Sequence, residues 1–226
     1  MMSNHPVLNT GAMSAELAEI YKALHYRMVL LWLKHKQYRD LFASGHQRIE
    51  LLNSTAPAFF SIVSESMAVS VMLDLSAMTD PPKSSGEKNL TITRLPTFYV
   101  DMQKRTEIQK LVRLAVKAVG DTVRPWRDKR LVHHDLELSI GNLPKLNQLP
   151  HLSEPHINTA LVFIGDALNR VALDHGASAH SYPNATSQSA GSLALLGHLY
   201  TSKVRRSKWE HLGRKEFMDE LPPNNL

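Results

Sequence analysis

SEPHINTALVFIGDALNRV, residues 153–171, is the stretch on which the fold turns. Ile157, Leu161, Ile164, Leu168 and Val171 recur four and three apart, which places them in one stripe along an α-helix. Ser153 offers an oxygen to the first turn, and Pro155 lies where its missing amide proton costs nothing. The stripe is the cleanest packing seam in the chain and predicts a helix laid against other helices.

Upstream the same period returns. Leu17, Ile20, Tyr21, Leu24, Met28 and Leu31 predict a helix from Ser14 to about Phe42, stopped by Ser44 and Gly45. A second helical segment covers 46–78, with Pro57 breaking it into a short and a long piece. Phe59, Val63, Met67, Val71 and Met78 stripe the long piece. Asp74 falls in phase with them and needs either a partner, a cap from a neighbouring Ser, or an outward position at the stripe's edge. Residues 79–97 read as the longest connection, opened by Pro81 and Pro82 and containing a loop at 90–93. Helix resumes near Phe98 with Ile108, Leu111, Val112, Ala115, Ala118 and Val119 on one face. Gly120 is read as its stop, and Pro125 as the opening of the next helix, which runs to about Ser139. After the seam, 176–185 is loop, and a last helical region starts near Ser187. Residues 1–12 form a leader and 13–220 a single all-α, bundle-like domain.

Composition limits the function classes. The chain has 226 residues, enough to bury a sizeable core. Met28–Leu33 is far too short to span a bilayer, and no other apolar run is read as doing so, so no membrane partner is expected. Cysteine is absent, which excludes disulfides and thiolate metal sites and fits a reducing, cytoplasmic setting. Lys plus Arg number 26 against 21 Asp plus Glu, and the pI is about 9.4, which permits a polyanionic partner. Twelve His are present, but pairs such as His151/His156 and His175/His180 match no common zinc spacing, so neither metal nor cofactor is expected.

The chemistry concentrates in RPWRDKRLVHHD, residues 124–135. Guanidinium holds two phosphate oxygens at once, and imidazole moves protons near neutral pH. RNA carries its own nucleophile, the 2′-hydroxyl. Cleavage therefore needs in-line geometry, a proton acceptor and donor, and positive charge for the pentavalent transition state. Arg127 suits the oxygens and His133 the protons, with Asp128 orienting either. Lys129, Arg130 and Arg124 can hold the RNA backbone. With Pro125 opening a helix, Arg127 falls in its first turn, where the dipole would assist phosphate binding. On an unbroken helix His134 shares the face of Arg127, so both imidazoles stay candidates. The same residues can equally form a solvated face in which Arg127, Lys129 and Arg130 pair with Asp128 and Asp135. Lys203, Arg205, Arg206, Lys208, Arg214 and Lys215, with Trp209, are read either as a phosphate-tracking surface or as an exposed basic helix.

Residues 127–135 resemble the signature of HEPN domains, an Arg and a polar residue followed one to two helical turns later by a His. The similarity is to the U-type abortive-infection group, whose pattern brings Arg127, Asp128, Lys129, Leu131, His133 and Asp135 into register. Val132 stands where that group usually has Ala, and His134 adds a second imidazole. AFFSI at 58–62, LSAMTDP at 75–81 and GEKNL at 86–90 resemble its second helix and exit loop. The likeness thus covers roughly 15–175. It implies a helical bundle acting as a metal-independent endoribonuclease of a toxin–antitoxin or abortive-infection system. It also implies a homodimer that brings two motifs together, and a possible antitoxin partner. The competing expectation is a non-catalytic dimeric module that binds RNA, a nucleotide or a protein.

Overall fold

The computed structural model describes residues 8–128, 153–184 and 191–211. Helices dominate them: α1 (Ala15–Tyr38), α2 (His46–Thr55), α3 (Pro57–Met78), α4 (Met102–Trp126), α5 (Glu154–Asp174) and α6 (Ser192–His211). The all-α expectation holds. The residues fall into two compact units, one of 1–35 and 66–185, the other of 36–65 and 186–226.

In the first unit the amphipathic stripes become the core. Leu17, Tyr21, Leu24, Met28 and Leu31 of α1 are fully buried, as are Leu161, Ile164, Leu168 and Val171 of α5. The α4 side of this core is Ile108, Val112, Ala115, Val119 and Val123. That stripe runs straight past Gly120, and α4 continues to Trp126 with Pro125 inside it, which corrects the expected stop and restart. Burial of Val119 and Val123 outweighs the weak helix preference of one Gly. Proline deletes a single i→i−4 bond, and the chain widens into a π-helical turn at 127–128 just beyond it.

Helix ends follow local chemistry. Asp101 caps α4 by accepting from the amides of Gln103 (2.8 Å) and Lys104 (3.0 Å). His156 turns back onto Ser153 at the start of α5, its Nδ1 3.1 Å from the hydroxyl, which gives that imidazole a capping role. His175 closes α5 as a polar seam end, its Nδ1 2.9 Å from the Val171 carbonyl. Asn9, Gly11 and Ala12, read from sequence as part of the leader, dock there: the Ala12 amide donates to the His175 carbonyl at 2.8 Å.

Two features of α3 depart from the sequence reading. Phe59, the first residue of its stripe, is 59% exposed and Val63 and Met67 are half-buried, while Val71 and Met78 are core. At 22 residues, with a mean hydropathy of 1.5 over an 18-residue window, α3 is also long and apolar enough to cross a membrane by length and composition. The sequence reading missed this because five serines dilute the run. Of the alternatives left open for Asp74, the structure shows partners: Lys34 at 2.7 Å and Arg27 at 3.2 Å.

The connection after α3 is more ordered than a loop. Lys83–Ser84 pairs with Glu87–Lys88 as a minimal antiparallel hairpin. Its turn residues Ser85 and Gly86 both take positive φ, as a two-residue hairpin turn requires. A 3₁₀ segment, Ile92–Phe98, then buries Ile92 and Leu95 where sequence suggested an irregular stretch.

In the second unit, Leu41, Leu51, Leu52, Phe60 and Leu196 form the buried apolar set. Ser192, at the start of α6, donates its amide to Gln37 and its hydroxyl to Asp40 at 3.1 Å. Lys203 of α6 donates to the Ser54 hydroxyl of α2 at 3.0 Å.

Candidate functional site

The end of α4 meets the end of α3. Arg124 and Arg127 lie three apart, hence on neighbouring positions of one helix face. Both donate to the same Asp80 oxygen, Arg124 through Nη1 at 2.9 Å and Arg127 through Nη1 at 3.0 Å. Arg124 also reaches the Thr79 carbonyl at 3.0 Å and the Thr79 hydroxyl at 3.3 Å. The Nε of Arg127 donates to Asp128 at 2.6 Å.

Asp80 is held from behind. Thr91, fully buried, donates its hydroxyl toward the carbonyls of Met78 (2.9 Å) and Asp80 (2.8 Å). Thr93 adds a second hydroxyl on the Asp80 carbonyl at 2.8 Å. The Asn89 amide donates to the Pro81 carbonyl at 2.8 Å. These bonds satisfy carbonyls that the end of α3 leaves without helical partners. They also explain why a Thr-Asp-Pro exit and an Asn89–Thr93 return belong together: the second fixes the backbone of the first.

The Arg127 side chain is 21% exposed and Asp80 27%, so the pair stands at the rim of the core and not adrift on the surface. Burial works against the Arg127 charge, but the hydrogen bonds to Asp128 and Asp80 outweigh it and push its pKa above the ordinary value. The guanidinium is thus permanently charged, oriented, and partly neutralised by two carboxylates. Such a group can receive a phosphate oxygen once one carboxylate yields.

The expected help from a helix N-terminus is absent. Arg127 caps the C-terminal end of α4, and its own amide bonds back to Val123 and Arg124. Of the sequence-derived site residues, Arg124, Arg127 and Asp128 are brought together. Lys129, Arg130, His133, His134 and Asp135 lie outside the described residues, as does His151. Among the described residues, no group of His, Asp and Glu is arranged to hold a metal ion.

Sequence reasoning missed Asp80, Thr79 and Thr91 as parts of the site. The available signal was Thr79-Asp80-Pro81 itself, which the sequence reading matched to the family's exit loop without giving it a part in the site.

Elsewhere in the first unit, His25 lies 3.1 Å from the Tyr182 hydroxyl and its ring is 4.3 Å from that of His180. Burial, then the nearby His180, lowers the His25 pKa to about 4. Both imidazoles are therefore neutral near pH 7, which suits packing more than cation-dependent binding.

Compared with known families, a model described as AbiU2, of the HEPN type, matches residues 14–194, a span that includes Asp80, Arg127, His133 and His134. No curated protein matches the chain, and no solved structure does.

Proposed function

Because the chain belongs to the AbiU2 family of HEPN domains, a family of the abortive-infection type, we propose that it is a metal-independent endoribonuclease working in the cytoplasm as a homodimer. Arg127 holds the non-bridging oxygens of the scissile phosphate. His133, with His134 as the alternative, accepts the proton of the 2′-hydroxyl, and the same group of a second copy donates one to the leaving 5′-oxygen. The products are a 2′,3′-cyclic phosphate and a 5′-hydroxyl. Two imidazoles from two protomers are needed because one ring cannot be acid and base in a single step. Lys129 and Arg130 contact the RNA backbone, and Arg124 braces Arg127 through Asp80. An antitoxin protein that covers the site fits the same reading.

The observation that carries the proposal is the orientation of Arg127. A surface Arg in a solvated helix face would sample many rotamers, whereas this one is fixed from two sides, by Asp80 and Asp128. The test is RNA cleavage in EDTA by the wild type, Arg127→Ala, His133→Ala and His134→Ala. Cleavage by the wild type that is lost in Arg127→Ala and in one His variant supports the reading.

One observation favours a second reading. Two carboxylates already occupy Arg127, so a non-catalytic module that uses the clamp for structure is also coherent. RNA binding without cleavage, unchanged in both His variants, is its signature.

A further inference from the structure

The two carboxylates on Arg127 are not equivalent, and we infer that they do opposite things to RNA: Asp80 is the anchor that positions the guanidinium, whereas Asp128 is a resident stand-in for a phosphate oxygen that the substrate must displace. The inference rests on the proposed role of Arg127 in holding RNA phosphate. It gives Asp80 a positioning role and recasts Asp128 as a competitor.

The asymmetry is built into their surroundings. Asp80 belongs to the exit of α3, whose backbone is pinned by the Thr91 and Thr93 hydroxyls and by Asn89. A second Arg, Arg124, shares its Oδ1, so withdrawing Asp80 from Arg127 would disturb three groups at once. Asp80 and Arg127 are 47 positions apart, so their contact is a product of the tertiary fold. Asp128 is the immediate neighbour of Arg127, and its side chain is 49% exposed, about twice the exposure of Asp80. A contact between adjacent residues in water is broken by one rotamer change.

The point of attachment matters as well. Asp80 is bonded to Nη1, and Asp128 to Nε. A guanidinium offers oxygens two two-pronged edges, one made by Nε with an Nη and one by the two Nη groups, and Asp128 stands on the first of these. Asp128 therefore occupies a position that a bound phosphate would claim, while Asp80 holds the group from another side.

The test is equilibrium binding of a fluorescent 2′-O-methyl RNA oligonucleotide, which cannot be cleaved, by fluorescence anisotropy at fixed salt. Asp128→Asn should tighten binding by about two- to fivefold, the scale of an exposed ion pair. Asp80→Asn should weaken it on the order of tenfold, because a misplaced guanidinium loses its geometry. Asp80→Glu should recover part of that loss, and it decides the matter if Asp80→Asn does not fold. The gain from Asp128→Asn should vanish when Arg127→Ala is also present.

Each carboxylate variant removes one negative charge. A simple charge-count effect would therefore tighten binding in both, and that result overturns the inference. A gain from Asp128→Asn that persists without Arg127 overturns it too, as does a wild type that does not bind. If Arg127→Ala alone leaves both binding and cleavage at wild-type level, the functional reading itself fails. If Arg127→Ala abolishes them but the two Asp variants move together, only the division of roles fails.

Discussion

Asp80 holds Arg127 at 3.0 Å across 47 positions of sequence, and through the same oxygen it holds Arg124. One carboxylate thus ties the exit of α3 to the end of α4 and orients the guanidinium to which the proposed chemistry is assigned. Removing it strands two partly buried cations. Asp80→Ala should lower unfolding free energy by about 1–2 kcal/mol, between the worth of an exposed ion pair and the cost of breaking a fully buried one. Urea denaturation checks this, and combining Asp80→Ala with Arg124→Ala and Arg127→Ala should cost less than the sum of the separate changes.

The backing hydroxyl of Thr91 should matter as much as the carboxylate it supports. Thr91→Val keeps the shape but leaves the Met78 carbonyl and part of the bonding to the Asp80 carbonyl unsatisfied in a buried place. A loss of about 1–3 kcal/mol is expected, with weakened RNA binding beside it. Thermal unfolding together with anisotropy separates this from a neutral Thr-to-Val exchange at a surface.

Much of this fold was legible in the sequence. The stripes of α1, α4 and α5 were readable because burial of one face imposes a 3.6-residue period, and Asp74 was flagged as an acid in phase with apolar residues, though a cation was only one of the answers left open for it. The site was half legible. Arg124, Arg127 and Asp128 stand close together in the chain, but their partner Asp80 comes from a distant helix exit, and the sequence alone does not show that this exit folds back against Arg127. The helix boundary was misread at Gly120 and Pro125 for a similar reason. Local punctuation there is overridden by the burial of Val119 and Val123, which only the packed structure displays.

His25 gives the pH dependence a definite sign. Its folded pKa is near 4 against an ordinary 6.5, so the folded state takes up that proton less readily than the unfolded chain. Stability from this group is intact above about pH 6.5 and drains away as pH falls toward 4. The urea midpoint should therefore decline across that window, and His25→Phe should flatten the decline. An unchanged slope in the variant would assign the acid sensitivity to other groups.

Gly11 supplies a sharper steric test. It adopts φ +54°, and a Cβ there would lie 1.9 Å from the His175 carbonyl oxygen. Gly11→Ala should dislodge the 9–12 turn from the end of α5 and cost roughly 1–3 kcal/mol. The amide of Ala12 should then lose its hydrogen-exchange protection, since its acceptor is that same carbonyl. Gly86→Ala, also at positive φ but with open space around it, should cost less.

The central claim is that Arg127 acts on RNA phosphate without a metal. The direct measurement is cleavage of a structured RNA by the purified full chain in EDTA, with end-group analysis, for the wild type and for Arg127→Ala. The account predicts fragments ending in 2′,3′-cyclic phosphate and beginning with 5′-hydroxyl, and a rate lower by a hundredfold or more, about 10²–10³, in the variant. Intact RNA with the wild-type protein, or equal cleavage by Arg127→Ala, would contradict it.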